Sequence, residues 1–329
     1  MTAASQRKRI MRRRQSDLLP ALLFLLPNFL GFVLFTAGPV LFSLGASFTN
    51  WDLQHNVPFA FIGIENFRRM FSDVDFWVFF INTLYLMLGI PFAIVGSLLL
   101  ALLLSQKLRG MSAYRTLFYL PTFTYGVALM ILWKKLYNPE FGPINTALEH
   151  LFHFIHIHAK GPEWLQSTHN LLGIVPENVE FAAKYFGAGA REAIIIMTVW
   201  VAIGGNNMLL YLAALTNIPP ELYEAADIDG ANHWHRFWSV TWPQLAPTTF
   251  FIIVISFIGG LQSGFETAQI MTNKGGPAGT TTTLAYYIYI KAFQEFQMGY
   301  ASAVAWTLFA IIFAITLINW RFGSKAINE

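Results

Sequence analysis

Residues 219–247 read PPELYEAADIDGANHWHRFWSVTWPQLAP and lie between two long apolar segments. Pro219 and Pro220 are poor inside a helix and well suited to its first turn, because the missing N–H has no intrahelical partner there. Glu221 and Glu224 then fall near the helix N-terminus, where negative charge is favoured. The pattern predicts a short helix from Glu221 to about Ile228, a break at Gly230, and a second short helix from Ala231 to about Val240 that Pro243 stops. Trp234, Phe237 and Trp238 recur at helical spacing on one face of the second. Isolated helices below about 12 to 15 residues are marginal in water. Two of them carrying aromatics between apolar segments are expected to dock on a partner protein.

The rest of the chain says what kind of molecule surrounds this loop. Hydrophobic residues make up 55% and charged residues 12% of the 329 residues, against about a quarter charged in soluble domains. A polytopic, all-α membrane protein follows. The formal charge is +3, and Arg7, Lys8, Arg9, Arg12, Arg13 and Arg14 alone supply more than that. A basic tail also suits nucleic acid, but beside a long apolar run it reads as an anchor that stays in the cytoplasm. There is no cysteine, so neither a disulfide framework nor a thiolate metal site is available.

Crossing a bilayer takes about 20 apolar residues. Six stretches qualify, over about 18–48, 76–104, 116–137, 192–215, 248–271 and 301–320. The first is too long for a cleavable signal peptide, and Pro39 is expected to kink or tilt it. Residues 1–17 form a basic tail, 138–190 a long polar outer loop, and 321–329 a short C-terminal tail. Six crossings put both termini on one side, and the tail charges place that side in the cytoplasm.

The loop also carries a family resemblance. Glu224-Ala225-Ala226, Asp229-Gly230-Ala231, Phe237, Pro243 and Pro247 resemble the E-A-A loop of the membrane-spanning subunits of binding-protein-dependent ABC importers, most of all the carbohydrate-uptake type related to maltose and glycerol-phosphate permeases. Residues 272–277, TNKGGP, the threonine run after them, and Tyr287 to Ala303 extend the likeness, with Lys274 a minor departure. The resemblance implies that 219–247 is the coupling element fitting a cleft on a separate ATPase subunit. Glu221, Glu224, Ala225, Ala226, Asp229, Gly230, Ala231, Phe237 and Pro243 would form that contact. It also implies a second similar permease chain, two ATPase subunits that bind ATP and magnesium, and an extracytoplasmic solute-binding protein. No cofactor is expected on this chain, and it is not expected to be an enzyme.

The chemistry agrees. The phosphate-cradling pattern G-x-x-x-x-G-K-[ST] is absent, as are H-E-x-x-H and G-x-S-x-G. His150, His153, His156 and His158 cannot converge from one regular element, so interfacial histidines are the preferred reading over a metal site. Polar groups at membrane depth are costly and therefore informative. The fourth crossing is centred near Gly204, Gly205, Asn206 and Asn207, the fifth near Gly259, Gly260, Gln262 and Ser263. Asn206, Asn207, Gly259, Gly260, Gln262 and Ser263 are candidates to meet a sugar through amides and hydroxyls. Close helix packing through small residues, with amides bridging helices, stands as the other reading. Glu266 faces either the pathway or water. No Lys or Arg sits near the centre of any crossing, which suits a neutral sugar or oligosaccharide better than glycerol phosphate. Two alternatives remain, a polytopic enzyme acting on a lipid-linked sugar, with Glu221, Glu224, Asp227 and Asp229 its one acidic cluster, and a passive channel or structural scaffold.

Overall fold

The computed structural model describes residue 20 and residues 22–54, 58–106, 109–124, 126–156, 160–169, 171 and 187–326. The basic tail, Lys107 and His158 lie outside the described residues, as do 172–186 of the long loop and the last three residues.

The described chain forms helices joined by turns and loops, with one isolated β-bridge between Thr49 and Phe61. In order it forms α1 (Leu22–Ala46), α2 (Glu65–Ser72), α3 (Val74–Leu104), α4 (Met111–Tyr119), α5 (Val127–Leu136), α6 (Pro143–Phe154), α7 (Ala190–Thr216), α8 (Pro220–Ile228), α9 (His233–Gln262), α10 (Leu284–Tyr289) and α11 (Met298–Ala326). Five of these, α1, α3, α7, α9 and α11, are long and apolar enough to cross a membrane. A sixth crossing exists if α4 and α5 count as one bent pair.

Three differences from the sequence expectation have physical reasons. The stretch 116–137 is not one straight helix: α4 passes through a 3-10 turn, Leu120–Phe123, and α5 leaves at 99° to it. Pro121 lacks a donor and Gly126 adopts φ +80°, so the ladder cannot run through. The helix expected over 248–271 ends at Gln262, where Ser263 turns extended and Gly264 takes φ +98°. A π turn, Thr267–Met271, follows.

The third difference concerns Pro243, which does not stop a helix. The expected second short helix is the first part of α9, continuous with the fifth crossing. A π turn, Phe237–Thr241, comes just before, and the Trp242 N–H bonds to the Phe237 carbonyl. That π turn ends just ahead of Pro243, whose ring would otherwise crowd an ordinary α turn, and Pro247 follows inside the helix. The same device appears in α1, where a π turn over Val33–Ala37 precedes Pro39 and the Gly38 N–H bonds to the Val33 carbonyl.

Packing divides into three apolar clusters. Ile94, Leu98, Met208, Tyr211, Leu245 and Ile252 join α3, α7 and α9. Met70, Phe76, Leu261, Leu284, Tyr287 and Val304 join α2, α3, the end of α9, α10 and α11. Leu129, Met130, Trp133, Ile194 and Met271 tie α5 to α7. Polar side chains fix the end of the bundle where α7 begins. Arg191 donates to the Asn82 Oδ1 at 2.7 Å and to the Thr280 carbonyl at 3.0 Å. Asn82 donates in turn to the carbonyls of Gly279 and Thr282. Glu192 accepts from the Tyr85 hydroxyl and from the N–H groups of Leu171 and Gly189. These bonds pin the loop over 272–283 across α3 and α7.

Candidate coupling loop and membrane cavity

At the other end of α7 the chain turns at Pro219 (φ −58°, ψ 129°) into α8. The helix closes with Gly230 at φ +71°, and the Ala231 N–H bonds back to the Ala226 carbonyl at 2.9 Å. Asn232 then caps α9, its side chain accepting from the His235 N–H. Two contacts hold α8 against the base of α9: Tyr223 and Thr241 share a hydroxyl bond of 3.0 Å, and Arg236 pairs with Asp227 at 2.6 Å. Sequence reasoning missed both pairs. Tyr223 and Thr241 lie 18 residues apart in the chain, with no periodicity linking them.

Glu221, Glu224, Ala225, Asp229 and Gly230 are exposed, Ala226 and Ala231 half-buried. A concavity of about 540 Å³ lies between α8 and the base of α9, with Ala225, Ala226, Asp229, Gly230 and Ala231 on its wall. Phe237 is turned the other way, packing on Trp238, Trp242 and the first apolar cluster. Pro243 is exposed in the first turn after the π segment.

Further along the same two helices, α7 and α9 meet α3 and α5 around a cavity of about 580 Å³. Asn207, Gly259, Gly260, Gln262 and Ser263 line it, and so does Glu266. Asn206 does not: its Oδ1 accepts from the Tyr119 hydroxyl at 3.1 Å, a bridge to α4. The small and amide residues thus divide, residue by residue, between lining this cavity and bridging or packing helices. A Cβ on Gly204 would collide with the Phe118 carbonyl, and one on Gly260 would press on Met87 and Ile90, so these two glycines serve close packing. Gly259 meets nothing within 4 Å. Thr83, Thr198, Ser256, Thr267 and Thr283 add hydroxyls that were not singled out; the rule that polar groups at membrane depth matter would have found them.

The histidines of the long loop do not gather. His150 and His153 sit on α6, His156 follows it, and no cluster of three metal-ligating side chains forms among the described residues.

Against known proteins, residues 74–323 match the family model of the binding-protein-dependent transport system inner membrane component. The chain belongs to that family, as an ABC permease subunit. A probable ABC transporter permease, YesP, of Bacillus subtilis strain 168 is 34% identical over 316 residues, covering 95% of this chain and 93% of that protein. The sn-glycerol-3-phosphate transport system permease UgpA of Pectobacterium atrosepticum is 30% identical, with 95% and 97% covered. The multiple sugar-binding transport system permease MsmF of Streptococcus mutans is also 30% identical, with 85% and 86% covered. Among solved structures, a chain of a bacterial ABC transporter that imports the acidic polysaccharide alginate superimposes with a TM-score of 0.76 at 24% identity, covering 96% of this permease and 99% of that chain. That likeness speaks for the fold.

Proposed function

We propose that this permease forms half of the pathway of an ABC importer for a carbohydrate, a neutral sugar or oligosaccharide. Its partners on this reading are a second similar permease, two ATPase subunits carrying ATP and magnesium, and an extracytoplasmic binding protein that delivers the sugar. The chain sits in the inner membrane with both termini and the 219–247 loop in the cytoplasm. One observation carries the reading. The exposed helix α8 is bonded to the base of α9 and follows directly from α7, and the far stretches of those same two helices wall the cavity. A push on α8 from a closing ATPase pair is thus delivered toward the cavity through α9 and through α7, the latter interrupted at Gly204–Gly205. Glu221, Glu224 and Asp229 supply polar contacts to the ATPase cleft, Ala225 and Ala226 allow close approach, and Gly230 makes the turn. A relative named for multiple sugars supports the substrate class. Among the described residues lining the cavity there is no Lys or Arg, which weighs against a phosphorylated cargo.

Gly230→Asp tests the coupling. A side chain there meets open space but must hold φ +71°, a strain of about 1 kcal/mol, and it puts a charge on the concave face. Membrane insertion is expected to survive while co-purification of the ATPase subunits and transport are lost. Transport at the unsubstituted rate in proteoliposomes of the assembled complex overturns the proposal.

A further inference from the structure

The polar lining of the cavity consists of hydroxyls and amides, such as Thr198, Asn207, Ser256, Gln262 and Ser263, together with a single charge. Among its described lining residues Glu266 is the one ionisable side chain. Neither a hydrogen-bonding nor an ion-pairing partner for its carboxylate exists among the described residues, and the residue is exposed in the opening. Its place is fixed by the backbone. Gln262 ends α9, Gly264 takes φ +98°, and the chain re-enters helix at Phe265. A Cβ on Gly264 would run into Thr283, so the break that turns Glu266 toward the cavity is built for glycine.

An unpaired carboxylate in a confined, largely apolar space does two things. It accepts several hydrogen bonds from hydroxyl or ammonium donors. It also repels any second anion, because no cation stands beside it among the described lining residues. We propose that Glu266 is the charge filter of this cavity, admitting polyhydroxylated solutes without negative charge, neutral or amino sugars, and rejecting uronic acids and phosphate esters. The proposal rests on reading the cavity as the transport pathway.

The absence of native cysteine allows a test that needs no knowledge of the cargo. In the assembled complex carrying Ser263→Cys, labelling of this chain by a cationic and by an anionic methanethiosulfonate reagent is followed by mass spectrometry, each rate normalised to a small neutral thiol. The cationic reagent is expected to be preferred, and Glu266→Gln to lower that preference about 10-fold, the scale of a unit charge at about 6 to 8 Å in a partly screened site. Glu266→Asp, which keeps the charge, is expected to retain it. An anionic preference with Glu266 intact, or an unchanged ratio in the Gln variant, overturns the proposal. The first readout stands even if the Gln variant fails to assemble. Labelling reports the charge of the cavity without transport, so its failure leaves the importer reading in place. Loss of the coupling phenotype leaves the filter in place.

Discussion

The two ends of α7 are built on opposite principles. At its start, Arg191 and Glu192 are 2% and 5% exposed, and their bonds reach α3, the loop over 272–283 and residues ahead of α7. Beyond its end, Glu221, Glu224 and Asp229 of the α8 loop stand in the open, and one ion pair and one hydroxyl bond hold that loop down. Burial makes a polar group expensive unless it is paired, so the first end is internally satisfied and set in one arrangement. Exposure leaves the second end free to be satisfied by another molecule. Rigidity at one end and availability at the other divide anchoring from contact along a single helix.

The largest expected break of that contrast is Arg191→Ala. Removing the guanidinium strands the Asn82 Oδ1 and the Thr280 carbonyl and deletes a cation stacked 4.9 Å from the Tyr85 ring centroid. A loss of about 3 kcal/mol or more is expected, the usual scale for breaking a buried charged network, and is read as a lowered melting temperature in detergent. A smaller effect is expected from Asp73, which joins α2 to the rest of that end by accepting from the Tyr287 and Tyr300 hydroxyls, both at 2.6 Å. Partial burial alone would raise its pKa; the two hydroxyls, the Asp75 N–H and the Lys291 charge together outweigh that and hold it below the usual carboxylate value. A depressed folded pKa means stability present above about pH 4 and lost as the pH falls through the folded value. Melting temperature is therefore expected to drop with acid below about pH 4, and the drop is expected to shrink in Asp73→Asn. Smallest is Arg236→Gln at the loop end. Its pair with Asp227 is partly exposed, and such pairs contribute about 0 to 1 kcal/mol. Melting should hardly move, and a large shift would erase the contrast.

The five long apolar helices, the α8 turn and its glycine were legible because each is local: apolar run length, proline position and a residue with positive φ are properties of neighbours in sequence, whereas the 99° bend within 111–136 was not. The buried pairs were not. Arg191 and Asn82 are 109 residues apart, and Asn82 and Thr282 are 200 apart. Nothing in a linear pattern says which buried charge meets which amide. Pro243 misled for a related reason. Its ring does forbid an ordinary α ladder, and the extra residue of the π turn before it carries no sequence mark. The amides at the centre of α7 were found, yet their division between Asn206 on Tyr119 and Asn207 on the cavity depends on which face of a turn points where.

Carrying the helix through Pro243 has a mechanical consequence. The helix of 30 residues, with Pro247 as a second proline inside it, is about 45 Å long at 1.5 Å per residue. Rocking it by about 5° around its loop end sweeps Gln262 through about 4 Å, comparable with the thickness of a sugar ring, whereas a joint at the proline would have absorbed the same motion before it arrived.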